Sequence, residues 1–175
     1  MQRGFTLLEL LVTVAILSIV LGMGVPATLD LARSLRLQGA AQDTYALLQY
    51  ARSDALATGQ QRFVVWDDED GAWCAAVADT ADCDCLEEDC AIDGVLRQIS
   101  SADYNQVELL SSTFAAGEFT AFDGMRGLAE GNAGTVIYQL SDSTGAMEKQ
   151  VQLVVSSLGR IRYCQVGDVG SYPAC

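Results

Sequence analysis

Gly4-Phe5-Thr6-Leu7-Leu8-Glu9-Leu10-Leu11-Val12 opens an apolar run that extends from Phe5 to about Val25, with Glu9 as its single ionisable residue. Roughly 21 residues rising about 1.5 Å each as a helix match the ~30 Å hydrocarbon core of a bilayer. Arg3 precedes the run and favours a cytoplasmic start. A removable secretory signal fits poorly. Val25-Pro26-Ala27 only weakly imitates a small-residue cleavage site, and Glu9 interrupts the apolar core. A plain anchor explains the length but not the acid, since a carboxylate at the membrane centre costs about 2.5–3.5 kcal/mol on insertion scales. A buried carboxylate becomes tolerable when a cation pairs with it. Glu9 therefore predicts a partner outside its own helix.

Working outward, Gly22, Gly24 and Pro26 lower helix propensity and invite a kink or local melting where the apolar run ends. From Ala27 to Thr58 the pattern becomes amphipathic. Ala41, Tyr45, Leu48, Ala51 and Ala55 recur at steps of three and four, with Arg33, Arg36, Asp43, Arg52 and Asp54 between them. Gly59 is a plausible stop. The joined helix would run for roughly 54 residues, about 80 Å, and a small domain offers no partner to its first half. Packing against helices of other subunits would supply one. Beyond Gly59 the period shortens. Gln61–Trp66, Ala72–Val77, Val95–Ile99, Gln106–Leu110, Thr120–Phe122, Thr135–Leu140, Gln150–Ser156 and Arg160–Cys164 read as strands between turn residues. The expected class is α+β: a long N-terminal helix, membrane-embedded in its first half, packed on a small antiparallel β-sheet domain.

Gly4-Phe5-Thr6-Leu7-Leu8-Glu9 resembles the prepilin signature of type IV pilins and type II secretion pseudopilins. The resemblance implies cleavage between Gly4 and Phe5 by a prepilin peptidase, methylation of the new amino group of Phe5, and retention of the helix. It also implies that Glu9 meets the positive N-terminus of a neighbouring subunit in a filament. Leu47-Leu48-Gln49-Tyr50-Ala51-Arg52-Ser53-Asp54-Ala55 resembles a helical stretch of the GspH/FimT branch, which includes minor pilins and the H-type pseudopilin. The implied organisation is a leader (residues 1–4), a transmembrane and filament-core helix (5–26), an amphipathic helix (27–59) and an extracytoplasmic β-rich domain (60–175). The implied protein is a minor type IV pilin that helps initiate pilus assembly or forms the tip, supporting twitching motility, adhesion or DNA uptake. Its alternative is the H-type pseudopilin of a type II secretion system. Major and minor pilins, the prepilin peptidase and an inner-membrane assembly platform are the implied partners. The location is the inner membrane, single-pass with a cytoplasmic N-terminus and a periplasmic C-terminal domain, and then the pilus or pseudopilus.

The remaining composition narrows the chemistry. A formal net charge of −13, with ten basic residues and no histidine, repels polyanions at long range and removes histidine-based triads and metal sites. No nucleophile–base pair, phosphate loop or metal cage stands out, so a non-enzymatic protein without cofactor or metal is expected. Cys74, Cys83, Cys85, Cys90, Cys164 and Cys175 all follow the apolar run and would face an oxidising compartment, where disulfides persist. Six cysteines allow 15 pairings, and Cys83 with Cys85 is disfavoured by spacing. Asp67-Asp68-Glu69-Asp70-Gly71 fails the EF-hand pattern, because Trp66 and Val77 would fall at ligand positions, and reads as a solvated turn. The acidic, cysteine-rich stretch 79–90 reads as a disulfide-stapled surface loop open to a partner. Gly159-Arg160-Ile161-Arg162 resembles the G-R-x-R element of FimT-like minor pilins, some of which capture DNA. Arg160 and Arg162 would share one face of a strand and grip phosphates, with Tyr163 stacking a base. Against DNA contact stands the acidic charge, which falls to −14 once Arg3 is lost with the leader.

Overall fold

Thr6 starts the helix. Its Oγ1 accepts the N–H of Glu9 at 3.2 Å and its carbonyl accepts that of Leu10 at 3.1 Å, the Thr-x-x-Glu spacing of a capping box. The computed structural model describes residues 6–115, 117–141, 147–167 and 169–175, with backbone alone at 23–28 and 147–148. From that cap α1 runs over Leu7–Thr58 and passes Gly22, Gly24 and Pro26 without losing its helical pattern. One missing hydrogen bond at Pro26 does not end a helix rich in Leu and Ala on both sides. Gly59 closes it in a left-handed conformation (φ 70°), the geometry that favours glycine after a helix. The chain divides into two compact units, Met1–Arg33 and Ser34–Cys175, and α1 contributes to both.

In the second unit, among the described residues, ten strands follow: β1 (Arg62–Glu69), β2 (Ala72–Ala78), β3 (Ala91–Ile92), β4 (Val95–Leu96), β5 (Gln98–Ser100), β6 (Glu108–Phe114), β7 (Phe119–Phe122), β8 (Gly134–Ser141), β9 (Met147–Val155) and β10 (Ile161–Val166). They form one sheet in the order β5-β2-β1-β7, a second in the order β10-β9-β8-β6, and a small β3-β4 hairpin, all antiparallel. The class is α+β, as the hydrophobic pattern implied. The acidic run 67–71 is the β1–β2 hairpin. Asp70 and Gly71 both take positive φ (51° and 81°) between the Glu69–Ala72 pair, as a two-residue type I′ turn demands.

The strands of the first sheet alternate cleanly between two cores. Val64, Trp66, Trp73, Ala75, Val77 and Phe122 join Leu37, Leu48, Ala51 and Ala55 of α1 and Val136, Tyr138, Val151 and Leu153 of the second sheet. Val65, Cys74, Ala76 and Ala78 point to the opposite face, where Cys85 and Cys90 cover them. Both faces are therefore buried, which is why Ala72–Ala78 reads as an unbroken apolar run. The main core also buries a polar chain. Trp66 Nε1 donates to Tyr138 Oη at 3.2 Å, and Thr44 Oγ1 bonds Tyr138 Oη at 2.9 Å and the Ala40 carbonyl at 2.8 Å. Burial pushes the Tyr138 hydroxyl up to about 12, partly opposed by its Thr44 and Trp66 bonds.

Candidate assembly and contact sites

In the first unit every large apolar side chain from Leu7 to Leu21 is between 49% and 78% exposed. A helix apolar on all sides requires an apolar surrounding. Its hydroxyls are already bonded inward, Thr13 to the Leu10 carbonyl at 2.9 Å and Ser18 to that of Val14 at 2.8 Å, so they add no unmet polar demand. Among the described residues no helix is long and apolar enough to cross a membrane, and the described side chains of this stretch end at Gly22. Glu9 is exposed in the first turn, where an acid is favoured by the helix dipole. Its position three residues after the capping Thr6 is a signal the pattern of apolar residues alone did not give. Gly4 and Phe5, the expected processing positions, lie outside the described residues.

The second unit carries the cysteine-rich loop. Cys74–Cys85 and Cys83–Cys90 are disulfide-bonded, and Cys164–Cys175 ties the C-terminus to β10. Every cysteine is paired. Asp67, Cys74 and Cys85 lie together, but a disulfide removes two of those three ligands, so the trio cannot hold a metal as it stands. Asp67 Oδ2 instead accepts the Cys85 N–H at 2.9 Å and anchors the loop. Burial raises the Asp67 carboxyl pKa against the opposing Cys85 bond, and the charges of Asp84 and Glu118 raise it further.

Two sequence elements far apart in the chain meet at the C-terminal end of α1. Arg52 Nε donates to the Gly127 carbonyl at 3.0 Å. Gly159 lies against the same carbonyl, where a Cβ on it would sit 2.2 Å from the oxygen, and its φ is +71°. Asp123 holds the turn that presents Gly127. Its carboxylate accepts the N–H groups of Met125, Arg126 and Leu128 at 2.9, 2.7 and 2.9 Å. Those bonds, the ones from Arg126 and Leu128 foremost, lower its pKa. The glycine of Gly159-Arg160-Ile161-Arg162 and the arginine of the Leu47–Ala55 stretch thus form one structural clamp. Asp123 and Gly127 had no motif to flag them.

Arg160, just before β10, and Arg162, within it, are both exposed and flank the buried Ile161. Arg126, on the turn beside Gly159, is exposed and bridges Glu130 at 3.5 Å. Arg97 lies 3.9 Å over the Tyr50 ring. Tyr163 corrects the base-stacking expectation: Tyr45 and Tyr172 stack on it, both at 4.9 Å between centroids, so its faces are taken. Burial also raises its hydroxyl pKa.

A family model described as "Type II transport protein GspH" matches residues 40–159, and one described as "Prokaryotic N-terminal methylation motif" matches residues 1–25. No curated protein and no solved structure matches the chain.

Proposed function

Because the chain belongs to the GspH family of type II transport proteins, we propose that it is a non-enzymatic subunit cleaved after Gly4, methylated at Phe5 and built into a type IV filament. The family and the N-terminal motif make it a minor pilin or pseudopilin. The single observation carrying the assembly role is the first stretch of α1, whose large apolar side chains from Leu7 to Leu21 all stand exposed beside one acid. Residues 5–26 serve first as an inner-membrane anchor and then as filament core. Residues 60–175 form the periplasmic domain, and other pilins, the prepilin peptidase and the assembly platform are the partners. Glu9, acceptable in apolar surroundings once paired, meets the freed amino group of a neighbouring subunit.

The filament is proposed as a type IV pilus, with this subunit at initiation or the tip. The pseudopilus of a type II secretion system is the second reading, favoured by the printed description of the matching family. DNA uptake loses its stacking residue, since Tyr163 is sandwiched, and retains the exposed Arg160 and Arg162, with Arg126 exposed on the adjoining turn but paired with Glu130. The test is recovery of the subunit in sheared filaments. The parent chain is expected there and Glu9→Ala is expected to remain in the membrane fraction; equal recovery of both would remove Glu9 from assembly.

A further inference from the structure

The two main sheets are linked by a chain segment that changes sheets. β6 pairs with β8 and β7 with β1, and between them Phe114 and Gly117 exchange backbone hydrogen bonds at 3.3 Å. β7 lines β1 only from Arg62 to Val65, and the Trp66 N–H then donates to the Glu118 carbonyl at 3.0 Å. Beyond Trp66, β1 pairs with β2 alone among the described residues. Backbone groups alternate sides along a strand, so Asp68 presents its N–H and C=O in the direction that Trp66 does, where no strand lies. Across the gap, the edge of β6 remote from β8 is likewise unpaired from Leu109 to Ser112 among the described residues. A cavity of about 310 Å³ lies between these edges, with Trp66 and Asp68 on one side, Leu109 to Ser112 on the other and Glu118 where β7 begins. At Leu110 a register shift interrupts the β6 ladder, and this leucine is 47% exposed.

The charge around the slot has one sign. Asp68 and Glu118 line it, and an adjoining cavity of about 320 Å³ shares Trp66 and Glu118 and adds Asp67, Asp82 and Asp84. Neither lining contains Arg or Lys. Burial foremost raises the Asp67 pKa, and the charges of Asp84 and Glu118 raise it further. Acids and bulges blunt sheet edges against unwanted strands; here they would turn away neutral and acidic strands and admit a basic one.

We propose that the slot between β1 and β6 accepts an extended segment of a partner chain as an added strand, with Lys or Arg at alternate positions facing Asp68 and Glu118. Main-chain bonds to Asp68 and Ser112 would supply affinity and the carboxylates selectivity. The inference does not depend on which filament the subunit joins.

The probe is a synthetic peptide of alternating lysine and valine, added to the full chain in non-ionic detergent, with binding followed by fluorescence anisotropy and amide hydrogen exchange. The peptide is expected to bind and to slow exchange at Asp68 and Ser112. Methylating alternate peptide nitrogens keeps its charge but removes its donors, and should weaken binding about tenfold or more. Asp68→Lys with Glu118→Lys should weaken the parent peptide about tenfold. Equal binding of both peptides would mean adhesion to an acidic surface and overturn the proposal, as would no binding or protection elsewhere. The peptide pair decides the matter even where the charge-reversed chain misfolds.

Discussion

α1 contains two stretches with opposite fates. From Leu37 to Ala55 one apolar face enters the core, with Leu37, Leu48, Ala51 and Ala55 all at 0% exposure. From Leu7 to Leu21 no large apolar side chain is below 49%. The later stretch interleaves charge with small residues and packs against its own sheets. The earlier one is apolar on every side, and its apolar area stays in contact with solvent until a bilayer or other helices cover it, at roughly 25 cal/mol per Å². On the proposed function, one helix serves folding at one end and assembly at the other.

Paired substitutions break that comparison most sharply. Trp66→Ala, in the core under the later stretch, should cost about 3–5 kcal/mol in denaturant unfolding, whereas Leu17→Ala should stay within about 0.5 kcal/mol. A large loss from Leu17→Ala in detergent would mean that the first stretch belongs to the folded domain. Next in size is the staple over the far face of the first sheet. Cys74→Ala with Cys85→Ala should cost about 2–4 kcal/mol, read by the same unfolding curves.

The buried tyrosine gives a pH signature. Tyr138 ionises near 12 when folded and near 10 when unfolded. Its contribution is whole below pH ~10 and is lost as pH rises toward 12, because the unfolded state gives up its proton first. Thermal melts should hold level to about pH 10 and then fall; Tyr138→Phe should lessen that fall, with the raised hydroxyls of Tyr104 and Tyr163 supplying the remainder. The smallest contrast lies within one motif. Gly159→Ala should destabilise by at least about 1 kcal/mol, since it meets a carbonyl at positive φ. Arg160→Ala and Arg162→Ala should change stability by less than about 0.5 kcal/mol.

Much of this fold was legible because its signals are local. The helix, its stop at Gly59 and most strands follow from periodicity and turn residues. Val95–Ile99 read as one strand but is two. The Arg97 carbonyl accepts the Val77 N–H at 3.0 Å while its side chain leaves for Tyr50. The strand expected at Gln106–Leu110 sits at Glu108–Phe114, since Gln106 takes positive φ (71°) and Ser111, Ser112 and Thr113 carry little apolar signal. Contacts between distant segments left no trace in the pattern. The disulfide partners and the meeting of Arg52, Gly127 and Gly159 needed three dimensions. The cleavage signature was legible as a motif alone.

That signature underlies the whole reading of the first stretch. The most direct test is mass spectrometry of the N-terminus after co-expression with an active or an inactive prepilin peptidase. A peptide beginning at methylated Phe5, present only with the active enzyme, is the predicted result. An intact Met1 with both enzymes, or cleavage near Ala27, would contradict it.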